Sequence, residues 1–277
     1  MRRTLVTLAV AMAMVASTNA FASVVDLVNN GSGSLNGALY FRSGFQPAGS
    51  GFIDSFVRVS AANQTFLQGF NTSARPLQYD ENSSPIFTRD LLLATVGTVT
   101  QGGVVYREFI LDINQTGSDP LLTLNRVVIS LALTAQSSGN VTKGTRLGSS
   151  AAGLFPGNDT IVYDSGAGNQ IQLNYNYGAG SGIGDMSLLV ANSLFTGGTF
   201  VTLYSEFGAI AGDNQCPNSG EVLAAGSSCY AGNNDGYEEW AVRSSVNVPG
   251  SPEPASLVLL GYALTGIAVA KKRFSKL

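Results

Sequence analysis

The sequence contains no histidine. That removes the commonest general base, the commonest zinc ligand and the usual partner of a catalytic serine. No G-x-S-x-G turn is present to place such a serine. Lysine is nearly absent from the middle of the chain, where only Lys143 occurs, so a serine–lysine pair would have to use that one residue. The glycine run "GAGSGIGD" (178–185) lacks the G-x-G-x-x-G spacing and sits in no βαβ pattern, which argues for a loop rather than a nucleotide cradle. Cysteine occurs twice, at Cys216 and Cys229. Long apolar runs are missing too: the longest uncharged apolar stretch near an end, Leu257–Ala270, has fourteen residues.

Charge is unevenly spread. Residues 23–250 carry nine Arg and Lys against seventeen Asp and Glu, a net of −8, while the whole chain nets −3. An acidic body behind two basic ends has no electrostatic footprint for nucleic acid. It suits a soluble life outside the cell, or divalent cations.

Both ends read as addresses. Arg2 and Arg3, the apolar Leu5–Val15 and the Ala20-Phe21-Ala22 pattern form a secretory signal peptide over residues 1–22, with cleavage expected after Ala22 and a competing cut after Ala20. Eleven apolar residues are too few for a membrane helix. Handling by the Sec export machinery and signal peptidase follows. At the other end, a helix over 257–270 would rise about 21 Å, short of a hydrocarbon core about 30 Å thick. Three readings compete: a buried helix, a permanent anchor with the basic end in the cytoplasm, and a transient signal that only pauses in the inner membrane.

Pro252-Glu253-Pro254, the short apolar helix 257–270 and the basic residues Lys271, Lys272 and Arg273, within a tail of 271–276, occur in that order. This segment, 248–277, resembles the PEP-CTERM sorting signal. The resemblance implies an exosortase as processing partner, transient membrane anchoring, and release to the cell surface or the extracellular polysaccharide matrix. A Pro-x-Pro pair would keep the cut site extended, because proline and the residue before it resist helix.

Between the ends, residues 23–247 read as one β-rich domain. "IQLNYNY" (171–177) alternates without fault, placing Ile171, Leu173, Tyr175 and Tyr177 on one face. In 104–113 the pattern groups Val105, Phe109, Leu111 and Ile113, and in 121–133 it groups Val127, Ile129, Leu131 and Leu133. Segments 24–28, 52–59, 160–164, 199–207 and 237–243 add further strands, separated by Gly, Asn, Ser and Pro clusters. Only 89–97 and 185–195 read as helical. This pattern predicts an all-β, antiparallel β-sandwich of jelly-roll or immunoglobulin-like kind, with a loose segment at about 208–235. The stretches "GSGFIDSFVRV" with "GFNTS", "REFILDINQTGSDPLLTLNRVVIS", "SGIGDMSLLV" and "DGYEEWAV" resemble a domain that recurs among PEP-CTERM proteins, which implies an exported β-rich protein and no particular activity.

Three candidate sites remain. Cys216 and Cys229 are expected to form a disulfide in an exported chain, with two free thiols as the alternative. That bridge would draw together "AGDNQ" and "GNNDG", so Asp213, Asn233 and Asp235, with Asn214 and Asn234, become candidate calcium ligands; Asp112 and Asn114 form a second group. The same residue types also simply make turns. Glu238 and Glu239 point to opposite faces of a strand, so a glycoside hydrolase would need Glu239 paired with Asp112 or Glu206. The expected function is a non-catalytic structural or adhesive component without an obligatory cofactor. The alternative is a carbohydrate-binding module, which would display a row of exposed aromatics drawn from Tyr175, Tyr177, Tyr204 and Trp240.

Overall fold

A computed structural model describes residues 22–42, 53–60, 66–118, 120–157, 159–178, 184–208 and 235–243. Fourteen strands lie within them: β1 Val24–Asp26, β2 Ser32–Leu35, β3 Ala38–Arg42, β4 Ile53–Val59, β5 Phe66–Phe70, β6 Leu91–Leu92, β7 Thr98–Gln101, β8 Val104–Asp112, β9 Leu121–Ala132, β10 Thr160–Asp164, β11 Gln170–Asn174, β12 Met186–Ala191, β13 Phe200–Gly208 and β14 Glu238–Arg243.

The strands form two sheets. The first runs β1-β11-β9-β13-β5, with β10 also on β9 and β6 on β13. The second runs β2-β3-β12-β8-β14-β4, with β7 on β8. Every described pairing is antiparallel except β1 with β11. Two hairpin turns are specified locally: Asn36-Gly37 and Gly102-Gly103 all have positive φ, the twist a two-residue turn between antiparallel strands requires. Gly37→Ala is expected to cost about 1 kcal/mol, read as a lowered denaturation midpoint, because the left-handed region disfavours a Cβ.

One apolar core draws on both sheets. Leu67, Leu122, Leu124, Val127, Ile129, Ile171, Leu173, Leu203 and Phe207 come from the first; Phe56, Val57, Phe109, Leu111, Met186, Leu188, Trp240 and Val242 come from the second. Polar bonds cross it: the Tyr40 and Tyr163 hydroxyls lie 2.6 Å apart, and Trp240 Nε1 donates to Ser205 Oγ at 3.1 Å. A second apolar cluster, with Phe70, Tyr79, Val128, Leu154, Phe155 and Tyr204, sits on the opposite face of the first sheet. There the chain between β5 and β6 and the long link from β9 to β10 cover the strands, so β9 is buried along its whole length.

Several expectations are corrected. The 185–195 segment is not an α-helix: its first part is β12, a central strand between β3 and β8, and only Asn192–Leu194 makes a single 3-10 turn. Both faces are buried, so the alternation that marks a strand is masked by leucines on each side. Segment 89–97 holds β6 and a single 3-10 turn at Leu93–Thr95. The 171–177 strand stops at Asn174, whose side chain accepts from Asn176 N at 2.9 Å and starts a 3-10 turn over Tyr175–Tyr177. Val105 and Leu133 extend past the core at strand ends and are exposed. Among the described residues no helix is long and apolar enough to cross a membrane; the expected helix 257–270 lies outside them.

Candidate functional site

The sorting residues Pro252, Glu253, Pro254, Lys271, Lys272 and Arg273 lie outside the described residues, as do Cys216, Cys229, Asp213 and Asn233. Ala22 is exposed at the start of the described chain. Asp235 is exposed, and its carboxylate accepts from Gly236 N at 2.8 Å. The Gly236 backbone lies so close to the Asn114 side chain that any Cβ would collide with it. The structure thus brings one edge of the first calcium group against the second. Among the described residues no three carboxylates, histidines or cysteines are arranged to hold a metal.

The aromatics do not form a row. Trp240 and Tyr204 are fully buried. Tyr175 packs against the core, and exposed Tyr177 lies under the Arg42 guanidinium at 4.1 Å while its hydroxyl donates to Val28 O.

Carboxylates gather where β8, β12 and β14 meet. Ile113 N donates to Asp185 Oδ2 at 2.9 Å, and Asp185 Oδ1 has no partner. Glu238 accepts from Asn114 N at 3.1 Å and Gln115 Nε2 at 2.9 Å. Burial pushes the Asp185 carboxyl up to about 8; the charges of Asp112 and Glu238 push the same way, and the Ile113 N–H opposes them. At neutral pH Asp185 is therefore largely a neutral acid. Glu239 stands beside Asp112 in register, but Arg58 Nη2 holds both of its oxygens at 2.7 Å and the Ser55 hydroxyl donates to it. The Arg58 guanidinium also lies over the rings of Phe87 and Tyr237, at 3.5 and 5.1 Å. Glu206 belongs to the other sheet, so the structure brings Glu239 to Asp112 and not to Glu206. Lys143 is held by Asp80 Oδ1 at 2.8 Å and donates to Tyr79 O.

A further site was not visible as a motif. Along β13, Glu206 pairs with Arg126 while the next residue, Phe207, pairs with Leu124. Asn125 is the extra residue of a β-bulge, a device that re-aims a side chain. Here too β9 changes neighbour, from β11 (at 121–124) to β10 (at 128–131). The β10–β11 link enters the gap, with Ser165 N donating to Val127 O and Val127 N to Ser165 Oγ. A cleft of about 50 Å³ remains, lined by Asn125, Arg126, Arg146, Leu147, Asn169 and Glu206. Asn125 is 4% exposed, and neither amide atom has a hydrogen-bond partner. A buried amide left that way costs about 1–3 kcal/mol. Arg126 bonds both oxygens of Asp164, at 2.6 and 2.7 Å. Arg146 lies 3.7 Å from Glu206 and over the Phe66 ring at 4.6 Å, and burial lowers its pKa. Glu206 accepts from Leu147 N at 2.5 Å and the Tyr204 hydroxyl at 2.8 Å; burial raises its pKa. The sequence signal is the polar pair Asn125-Arg126 breaking an apolar run, where the inward residues change from even numbers (Leu122, Leu124) to odd (Val127, Ile129).

Neither a family model, nor a curated protein, nor a solved structure matches this chain.

Proposed function

We propose that this is an exported, non-catalytic protein that serves a structural or adhesive role at the cell surface or in the extracellular polysaccharide matrix. The fold is read as a β-sandwich of jelly-roll or immunoglobulin-like kind, since two sheets share one core and bond across it. The observation that carries the function is the order of Pro252-Glu253-Pro254, apolar segment and basic cluster, joined to a secretory start at Arg2 and Arg3. Signal peptidase would remove residues 1–22, and an exosortase would process the tail after a pause in the inner membrane. Burial of Trp240 and Tyr204, and the bonding of Glu239 by Arg58, favour packing roles for side chains that a sugar platform or a hydrolase would present.

Mass spectrometry of native protein tests the proposal: the chain is expected to start near Ser23 and to lack the basic end. A surface form that still carries Phe274 to Leu277 would replace sorting with a permanent anchor. Glu253→Ala is expected to retain the full tail without changing the melting temperature, since the residue belongs to no strand pattern. Normal arrival of this variant would sink the motif as the recognition element.

A second reading, a carbohydrate-binding module, is favoured by the Asn125 cleft. Calcium remains the candidate ion for Asp213, Asn233 and Asp235.

A further inference from the structure

The Asn125 cleft has a donor and acceptor set that points to a ligand. We infer that it receives a pair of neighbouring hydroxyls from a neutral sugar. The inference deepens the carbohydrate-binding reading and rests on that reading, but not on export or sorting. Asn125 supplies one acceptor and two donor hydrogens, both atoms unpartnered and buried. Arg146 supplies guanidinium donors, since its nearest carboxylate stands 3.7 Å away. Glu206 supplies an acceptor in Oε2, because Oε1 already takes Leu147 N and the Tyr204 hydroxyl. A hydroxyl both donates and accepts, so two adjacent hydroxyls match an amide flanked by a guanidinium and a carboxylate.

Charge selects a neutral group. Arg126 is balanced by Asp164 and Arg146 by Glu206. An added carboxylate would leave an excess negative charge in a part-buried cleft, where it is poorly screened. Size limits what enters. A volume of about 50 Å³ holds a few water molecules, hence the edge of one sugar unit rather than a whole ring. The rest of the sugar would lie over the cleft mouth, near Asn169.

The test is saturation-transfer NMR on the purified full chain, using glucose, galactose and mannose, with glucuronate and glycerol as comparisons and dextran as a polymer. At least one neutral hexose is expected to receive saturation, above glucuronate. Dextran signal without hexose signal would mean a polymer surface elsewhere and would overturn the cleft assignment. Asn125→Leu removes the unpartnered amide and fills the space, so it is expected to keep or raise the melting temperature and abolish the transfer. If that variant fails to fold, Arg146→Gln, on the covering link, is expected to reduce transfer at least tenfold. Signals unchanged in the variants, glucuronate preferred over hexoses, or no transfer to any saccharide would each overturn the inference; the last would leave ordered water as the cleft's occupant. All of these outcomes are independent of whether Glu253→Ala is sorted.

Discussion

Asp185→Asn is expected to stabilise the protein at pH 8 and to flatten its stability between pH 4 and pH 8. Asp185 precedes β12 and is 5% exposed. Its carboxyl is pushed from the ordinary range near 4 up to about 8, first by burial and then by the negative charges of Asp112 and Glu238. The folded state therefore keeps a proton that the unfolded chain releases above about pH 4. Where the native state binds more protons than the unfolded one, stability falls as pH rises. The stabilisation present below the unfolded value is lost progressively and is gone above about pH 8. At about 1.4 kcal/mol per pH unit, the whole loss is on the order of 5 kcal/mol at most. Asparagine retains an oxygen to accept the Ile113 N–H and carries no charge at any pH. Urea denaturation of both proteins from pH 4 to 9 checks this. Parallel curves, or a variant less stable than the parent at pH 8, would show that Asp185 is charged in the native protein.

The neighbourhood of Asp185 was only half legible in the sequence. Asp112 and Asn114 stand out in "LDINQ", and Glu238 and Glu239 in "YEEWAVR", because carboxylates interrupt apolar alternation there. Asp185 did not stand out, since its strand looked helical. Strand β12 is covered on both faces, and burial on both faces erases the period of two on which the reading depends. By contrast the segments 52–59, 104–113, 199–207 and 237–243 hold strands β4, β8, β13 and β14 as expected. The partners that decide chemistry are set by register across sheets. Nothing local links Glu239 to Arg58, 181 residues away, or Arg126 to Asp164. The bulge at Asn125 is intermediate: the phase change from Leu124 to Val127 is visible, but the gap it opens depends on where β10 leaves β9 and β11 joins it. Two of the four aromatics expected for a sugar platform, Tyr204 and Trp240, carry polar tips that bond inside the protein. Composition alone cannot distinguish a tip that faces a neighbour from one that faces solvent.

Trp240→Ala is expected to produce the other large effect, a loss of about 3–5 kcal/mol, the range for deleting a buried aromatic. Trp240 is fully buried on β14, between β8 and β4, opposite Leu111 and Val57. The register shifts there, because Ser55 and Val57 face Ala241 and Trp240 and Phe56 is left as the extra residue of a bulge. The ring fills the space between the sheets while its Nε1 donates to Ser205 Oγ on β13, at 3.1 Å. Truncation removes both the contacts and the cross-sheet bond, and leaves the serine hydroxyl buried. For a domain of this size the melting temperature should fall by on the order of 10 °C. Trp240→Phe retains most of the apolar volume, so it separates the packing loss from the hydrogen bond and is expected to cost about 1–2 kcal/mol. The expected Cys216–Cys229 bridge lies in the link just before β14, so reduction should weaken the same strand. In the Trp240→Ala protein β14 is already loosened, and reductant should lower the melting temperature less than in the parent. A loss below about 1 kcal/mol for Trp240→Ala would mean that the two sheets hold together without the indole. Equal reductant effects in both proteins would separate the bridge from β14.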